Sequence, residues 1–167
     1  MTHIMIDLET LDTKPTTVIL SIGAVAFDPF TGDERGRFYE EIDAQGQIDQ
    51  GRTVSADTLK WWMGQDNGVI KLEGERDLGH ALHLLYEFFG LAECYETWGN
   101  GSTFDVSIME DAYRSFNMEA PWKFWAVRDM RTIVALVGKE DWSGGTNHNA
   151  LDDAIHQAGV VSRAYKK

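Results

Sequence analysis

Three short stretches of the chain place carboxylates at spacings that could do chemistry. In Met5-Ile6-Asp7-Leu8-Glu9-Thr10 two acids are separated by one residue. The preceding apolar run, His3-Ile4-Met5-Ile6, reads as a buried strand. Side chains at i and i+2 of a strand share a face, so Asp7 and Glu9 would project together from its end. Like charges that close raise each other's pKa unless something positive lies between them, and a hard divalent cation with oxygen ligands is the simplest remedy. Alone, however, Asp-x-Glu is more simply a strand that has reached solvent. The second stretch, Asn100-Gly101-Ser102-Thr103-Phe104-Asp105, falls where a short strand meets a helix. There Asp105 by itself would only balance the helix dipole. The third, His148-Asn149-Ala150-Leu151-Asp152-Asp153, opens the last helix and by itself is an acidic first turn with a histidine before it.

Taken together, the stretches supply four carboxylates, Asp7, Glu9, Asp105 and one of Asp152/Asp153, with one imidazole. All lie at the ends of core elements, where open α/β sheets build their sites. Such oxygen donors suit Mg²⁺ or Mn²⁺ far better than zinc, and four carboxylates balance two divalent ions. If the last helix included His148, Asp152 at i+4 would share its face and Asp153 would lie roughly 140° away. Helical geometry alone therefore nominates Asp152.

The elements that must position these groups follow from the patterning. After a polar loop with Pro15, residues 17–27 are β-branched-rich and read as a second strand. A turn at 28–33 leads to a third, about 37–42, which would return antiparallel and complete a meander. A Gly- and Gln-rich loop runs to Arg52. Helices are expected from Ser55 to a break at Asn67-Gly68, over about 77–89 and over about 104–116, with a short strand at 95–99 between the last two. Residues 124–127 read as a final strand and Asp129 as the cap of a helix through Val137. A polar loop, 139–147, precedes an alanine-rich helix over about 149–165. Strands first, then helices alternating with short strands, indicate an α/β domain whose sheet mixes antiparallel and parallel pairs.

Composition bounds the rest. A chain of 167 residues with 43% hydrophobic content is expected to form one domain, 1–167. One cysteine excludes an internal disulfide. No apolar run approaches the roughly 20 residues of a membrane span, and no basic-then-apolar leader precedes Ile4, so a cytoplasmic protein without a membrane partner is expected. Fifteen basic against 27 acidic residues give −12, the wrong sign for gripping a nucleic-acid backbone by Lys and Arg alone. Either the partner is not a polyanion, or bound metal ions supply positive charge locally.

At these residues the chain resembles a known family. Asp-x-Glu in a first strand, Asn-x-x-x-Phe-Asp near mid-chain and His-x-Ala-x-x-Asp near the C-terminus, in that order, are similar to the three motifs of the DnaQ-like DEDDh 3′–5′ exonucleases. Lys123-Phe124-Trp125 and Arg128-Asp129-Met130-Arg131-Thr132 further resemble the branch with phage DexA-type and bacterial exoribonuclease-like proteins. The resemblance implies an RNase H-like fold and a two-metal hydrolase acting on single-stranded 3′ ends, with DNA favoured over RNA, to release nucleoside 5′-monophosphates. It implies Asp7, Glu9, Asp105 and Asp153 as ligands of two Mg²⁺ or Mn²⁺ ions, since its pattern puts the last acid five residues after the histidine. His148 becomes the general base. Leu8, Asn100 and Phe104 are expected at the terminal nucleotide, and Arg128 at a phosphate.

Some features admit plainer readings. Most of the tryptophans are core candidates, although Trp61 and Trp62, being adjacent, cannot both face inward on a helix and so offer a base-stacking surface. His3, His80, His83 and His156 lack partners at metal spacing. Two other functions stay in view: an exoribonuclease or oligoribonuclease, and a non-catalytic nucleic-acid-binding module. Against the last, a pure binder would not concentrate negative charge where phosphate must sit. Nothing in the sequence sets an oligomeric state.

Overall fold

The computed structural model describes residues 1–65, 71–138 and 148–166. At its centre lies β1 (Thr2–Thr10), whose alternating side chains face two different layers. Ile4, Ile6 and Leu8 enter one core and Met5 the other, as befits a strand covered on both sides. β2 (Ile19–Phe27), buried along its whole length, pairs antiparallel with β1, and β3 (Glu34–Glu41) pairs antiparallel with β2. On the other side β4 (Cys94–Gly99) runs parallel to β1, and β5 (Val127–Asp129) parallel to β4. The order β3-β2-β1-β4-β5 is the mixed sheet that the patterning indicates, an antiparallel meander with parallel additions, and agrees with the RNase H-like fold that the resemblance implies.

Helices cover both faces: α1 (Ala44–Asp49), α2 (Ala56–Met63), α3 (Leu78–Ala92), α4 (Ser102–Ser115), α5 (Met130–Val137) and α6 (Ala150–Tyr165). Asp77 caps α3 by accepting from His80 N. Leu78, Leu82, Leu85 and Phe89 then recur at helical spacing on the face that packs under Ile4 and Ile6. Each such side chain contributes about 1.5–3 kcal/mol by burial. α6 packs on the opposite layer through Ala150, Ala154, Ala158 and Val161, residues small enough for close approach. The approach is tightest at Gly23 of β2, where a Cβ would lie 2.2 Å from the Ala150 carbonyl carbon. Gly23 is the register partner of Asp7, so its missing side chain lets the first turn of α6 lie beside Asp7.

Two expectations are corrected. The Gly- and Gln-rich loop contains α1, capped by the Asp43 side chain, which accepts from Gly46 N at 2.9 Å. Its Gln47 is buried and satisfies both backbone groups of Ile19, at 2.9 and 2.7 Å. A helix whose inward residue is a glutamine leaves no apolar period to read. Residues 124–127 are not the last strand: Phe124–Ala126 is a 3-10 turn and β5 begins at Val127. The expected break at Asn67-Gly68 and the polar loop 139–147 lie outside the described residues.

Candidate active site

Asp7 and Glu9 lie on the α6 side of β1, Asp105 comes from the first turn of α4 just past the end of β4, and Asp153 from the first turn of α6. These four line one cavity of about 580 Å³. Asp105 is 3% exposed, and no Lys or Arg among the described residues forms an ion pair with any of the four. Gln157, one turn beyond Asp153, donates its Nε2 to Asp7 Oδ1 at 2.7 Å. Its own Oε1 is buried without a partner among the described residues.

Crowding carboxyls out of water shifts all four the same way. Burial first, and then the charge of Asp105, hold Asp7 well above the usual carboxylate range, against the Gln157 hydrogen bond. Burial, then Asp7 and Asp153, push Glu9 up to about 9. Burial pushes Asp105 up to about 7, opposed by backbone hydrogen bonds at Asp105 and Leu8 and by the charge of Arg131. Burial pushes Asp153 up to about 6, opposed by a hydrogen bond from the His148 backbone. Such a cluster favours either protons or cations. Its all-oxygen character fits hard divalent ions, and Glu9, His148 and Asp153 each offer a ligand atom within 4.8 Å of the others.

His148 stands just outside α6. Asn149 caps that helix, its Oδ1 accepting from Leu151 N and Asp152 N at 3.1 Å each. His148 itself takes a left-handed backbone, φ 63°, and its ring meets Trp61 edge-on at a centroid distance of 4.9 Å. Because the histidine is not helical, the i+4 relation to Asp152 does not apply. Asp153 lines the cavity and Asp152 does not; Asp152 acts electrostatically on Arg37 instead.

Beside the acids lies a second cavity of about 390 Å³, largely apolar, whose walls include Leu8, Trp61, Trp62 and Phe104. Trp62 is buried, its Nε1 donating to Thr10 O at 2.9 Å, whereas Trp61 is 47% exposed. The adjacent indoles thus divide as expected, one anchoring and one presented. Leu8, Glu9, Trp61 and Phe104 line both cavities, and Asn100 lines the acidic one.

Arg128 is the exception among the residues expected here. It pairs in register with Trp98, which turns it toward the other end of the α6 layer. There it donates to Glu96 Oε1 at 2.6 Å and to the Trp125 and Val127 carbonyls at 2.7 and 2.9 Å. Arg131 lines the cavity in its place, as do Gln157 and His156. Gln157 was findable, since it follows Asp153 by four helical residues and must share its face. Between Arg128 and Arg131 the sequence holds no signal; only the start of α5 separates them.

A model of the 3′-5′ exoribonuclease Rv2179c-like domain matches residues 2–165. No curated protein sequence matches the chain. Solved structures similar in fold include cell-death related nuclease 4 (CRN-4), with a TM-score of 0.67 and 14% identity over 97% of this chain and 62% of that one. The nuclease domain of 3′hExo, a DEDDh family member bound to rAMP, has a TM-score of 0.61 and 16% identity over 97% of this chain and 90% of that one. E. coli Exonuclease I in complex with a 5cy-dA13 oligonucleotide has a TM-score of 0.68 and 13% identity over 99% of this chain and 42% of that one. The chain thus spans less than two thirds of CRN-4 and of Exonuclease I.

Proposed function

The chain belongs to the family of the 3′-5′ exoribonuclease Rv2179c-like domain, among the DnaQ-like DEDDh 3′–5′ exonucleases, and from that premise we propose that it removes nucleoside 5′-monophosphates one at a time from single-stranded RNA. The observation that carries this reading is the convergence of four carboxylates, with no ion-paired cation among the described residues, beside an apolar cavity walled by Trp61 and Phe104. RNA takes precedence over the DNA favoured by sequence because the family is described as exoribonuclease. Single-stranded DNA remains the second reading, on the fold shared with an exonuclease crystallised with a DNA oligonucleotide. We also take residues 1–167 as a single domain, since both cores are built on β1 and its neighbours.

Asp7, Glu9, Asp105 and Asp153 fit as the holders of two divalent ions, Mg²⁺ or Mn²⁺. When bound, such ions supply Lewis acidity and the positive charge that a phosphodiester needs among carboxylates. The chain's own groups do the rest. Leu8, Trp61 and Phe104 flank the terminal nucleoside, with Asn100 at the mouth. Gln157 fixes one oxygen of Asp7 by its 2.7 Å hydrogen bond and so turns the other toward the cavity. His148, held on a left-handed backbone against Trp61, takes the proton from a water that attacks phosphorus. The bond from phosphorus to the 3′-oxygen then breaks, that oxygen takes up a proton from solvent, and His148 returns its own to solvent. The phosphate stays on the 5′ side of the released nucleotide, with a new 3′-hydroxyl on the strand.

No helix among the described residues is long and apolar enough to cross a membrane. The test is 5′-labelled single-stranded RNA and DNA of one sequence, incubated side by side with Mn²⁺ and with EDTA. A descending ladder, faster on RNA and absent in EDTA, is expected. Immediate release of the labelled 5′ nucleotide, cutting of a circular strand, or full turnover in EDTA would overturn the reading.

A further inference from the structure

Among the described residues that line the acidic cavity there is one Arg, Arg131, and no Lys. In a chain with 27 acidic and 15 basic residues, a cation left at the mouth of four carboxylates calls for a reason. Its placement is built. Asp129 accepts from Arg131 N at 2.7 Å through Oδ1, and from Ser102 N at 2.7 Å through Oδ2. One carboxylate thereby ties the starts of α4 and α5 together. Gly101 lies beneath the guanidinium at φ 97°, and a Cβ there would come within 3.1 Å of Arg131 Cζ. The side chain is thus seated over a residue that leaves it room.

It is nonetheless barely engaged. Among the described residues its one hydrogen bond is a long contact from Nε to Asn100 Oδ1, 3.4 Å. Among the described residues it makes no ion pair, and Arg131 is exposed. Arg128, three residues earlier, makes three hydrogen bonds, one of them within an ion pair. A guanidinium has five donors in a planar fork suited to phosphate. Arg131 lines the cavity with that group.

The position along the cleft selects which phosphate. The apolar cavity shares Leu8, Glu9, Trp61 and Phe104 with the acidic one but does not reach Arg131. Of the two cavities, Arg131 lines only the one that holds the four carboxylates, away from the apolar cavity. With the terminal nucleoside in the apolar cavity, the scissile phosphate faces the acids, and the strand leaves on the far side. We propose that Arg131 is a substrate-binding residue that grips the phosphate immediately 5′ of the scissile one. The inference rests on the exonuclease reading above.

A charge-neutral substrate tests it. A 5′-labelled RNA oligonucleotide carries a single methylphosphonate at the linkage next upstream of the terminal one, and removal of the first nucleotide is followed for the wild type, R131A and R131K. Neutralising that linkage should cost the wild type roughly ten- to a hundredfold in kcat/KM, the scale of a hydrogen bond to a charged group. R131A should show a loss of that size on unmodified RNA, mostly in KM, as for a contact remote from the reacting atoms. It should lose little more on the modified strand, and its salt dependence should be shallower by roughly 0.7 in log–log slope. R131K should fall between, keeping the charge without the fork.

Fully additive losses would overturn the proposal, as would a fall in kcat at constant KM, which would put Arg131 at the scissile phosphate. Loss of Mn²⁺-induced thermal stabilisation in R131A would overturn it too, by making Arg131 an organiser of the acids. A wild type inert on both RNA and DNA would instead remove the exonuclease reading itself, and this inference with it.

Discussion

β1 carries ionisable groups at both ends of one face, and the protein treats the two ends in opposite ways. Near its start, His3 is 1% exposed and stacks on Trp98, whose Nε1 donates to His3 Nδ1 at 3.0 Å. Every acid nearby has a cation: Glu96 holds Arg128 at 2.6 Å, and Asp28 holds Arg35 at 2.5 Å and the terminal ammonium at 3.4 Å. Hydrogen bonds from the Phe30 and Thr31 backbone, with the terminal ammonium, keep Asp28 below the usual carboxylate range. At the far end, Asp7, Glu9, Asp105 and Asp153 sit together with no ion pair among the described residues and are all pushed up. The same chemistry of acids near a buried strand is closed on itself at one end and left open at the other. Perturbed groups mark function where the partner is missing, not merely where charges are buried.

That contrast is broken most severely by substituting the open end. Asp7→Asn should lower nuclease activity on the order of 10⁴-fold, as when one member of a group acting as a unit is lost. The same substitution should raise the thermal midpoint of metal-free protein at alkaline pH, where the cluster is forced to ionise, because one like charge is gone there. Activity assays and melting curves on one preparation check both. A variant both inactive and destabilised would mean that Asp7 is structural, like Glu96.

His148→Ala comes next, with an expected loss of roughly 10²–10⁴-fold in rate and retained stabilisation by Mn²⁺ in melting experiments. Because ligand atoms of Glu9, His148 and Asp153 lie within 4.8 Å of one another, loss of that stabilisation along with the rate would make His148 a metal ligand instead of the base.

The two ends should also respond oppositely to pH. A carboxyl raised on folding binds protons more tightly in the native state, so its contribution is full below the ordinary carboxylate range and is lost as pH rises. For Asp153, Asp105 and Glu9 that loss runs through about 6, about 7 and about 9 respectively. Asp28, lowered, contributes above its ordinary value and loses that contribution as pH falls. Metal-free protein should therefore become less stable from about pH 5 to pH 9, and Mn²⁺ should remove most of that slope while adding about 2.7 kcal/mol at a hundred times Kd. Denaturant titrations across this range, with and without Mn²⁺, test this; a flat metal-free profile would contradict it.

The smallest effect belongs to the closed end. Glu96→Gln frees a partly exposed Arg128 and should cost about 1 kcal/mol, roughly 2–4 °C in midpoint, with activity within twofold of wild type. An activity loss there would join the two ends that the structure keeps apart.

How far the sequence reaches can be seen residue by residue. Alternation in one strand was enough to put Asp7 and Glu9 on one face, because strand parity depends on nothing outside the strand. The Trp61–Trp62 division was equally local, since adjacent helical positions cannot share a face. Helical spacing misled at Asp152, because whether His148 is inside or outside α6 depends on the Asn149 cap. Arg128 and Arg131 are separated by a change from strand to helix at Met130, and composition is the same on either side of it. Gln47 shows the limit most plainly: its burial answers the unpaired backbone of Ile19, a need that arises only once β2 is placed.

Gly23 has a consequence for the chain as it is made. The hydrogen bond from Gln157 to Asp7 spans 150 positions, and the helix that carries Gln157 reaches Asp7 only by lying across the bare backbone of Gly23. Synthesis runs from the N-terminus, and the sheet that holds Asp7 and Glu9 is complete in sequence before α6 exists. A nascent chain therefore carries three of its four acids, Asp7, Glu9 and Asp105, before Asp153, His148 or the amide that bonds Asp7 has been made. The four acids, His148 and Gln157 come together only when α6 docks.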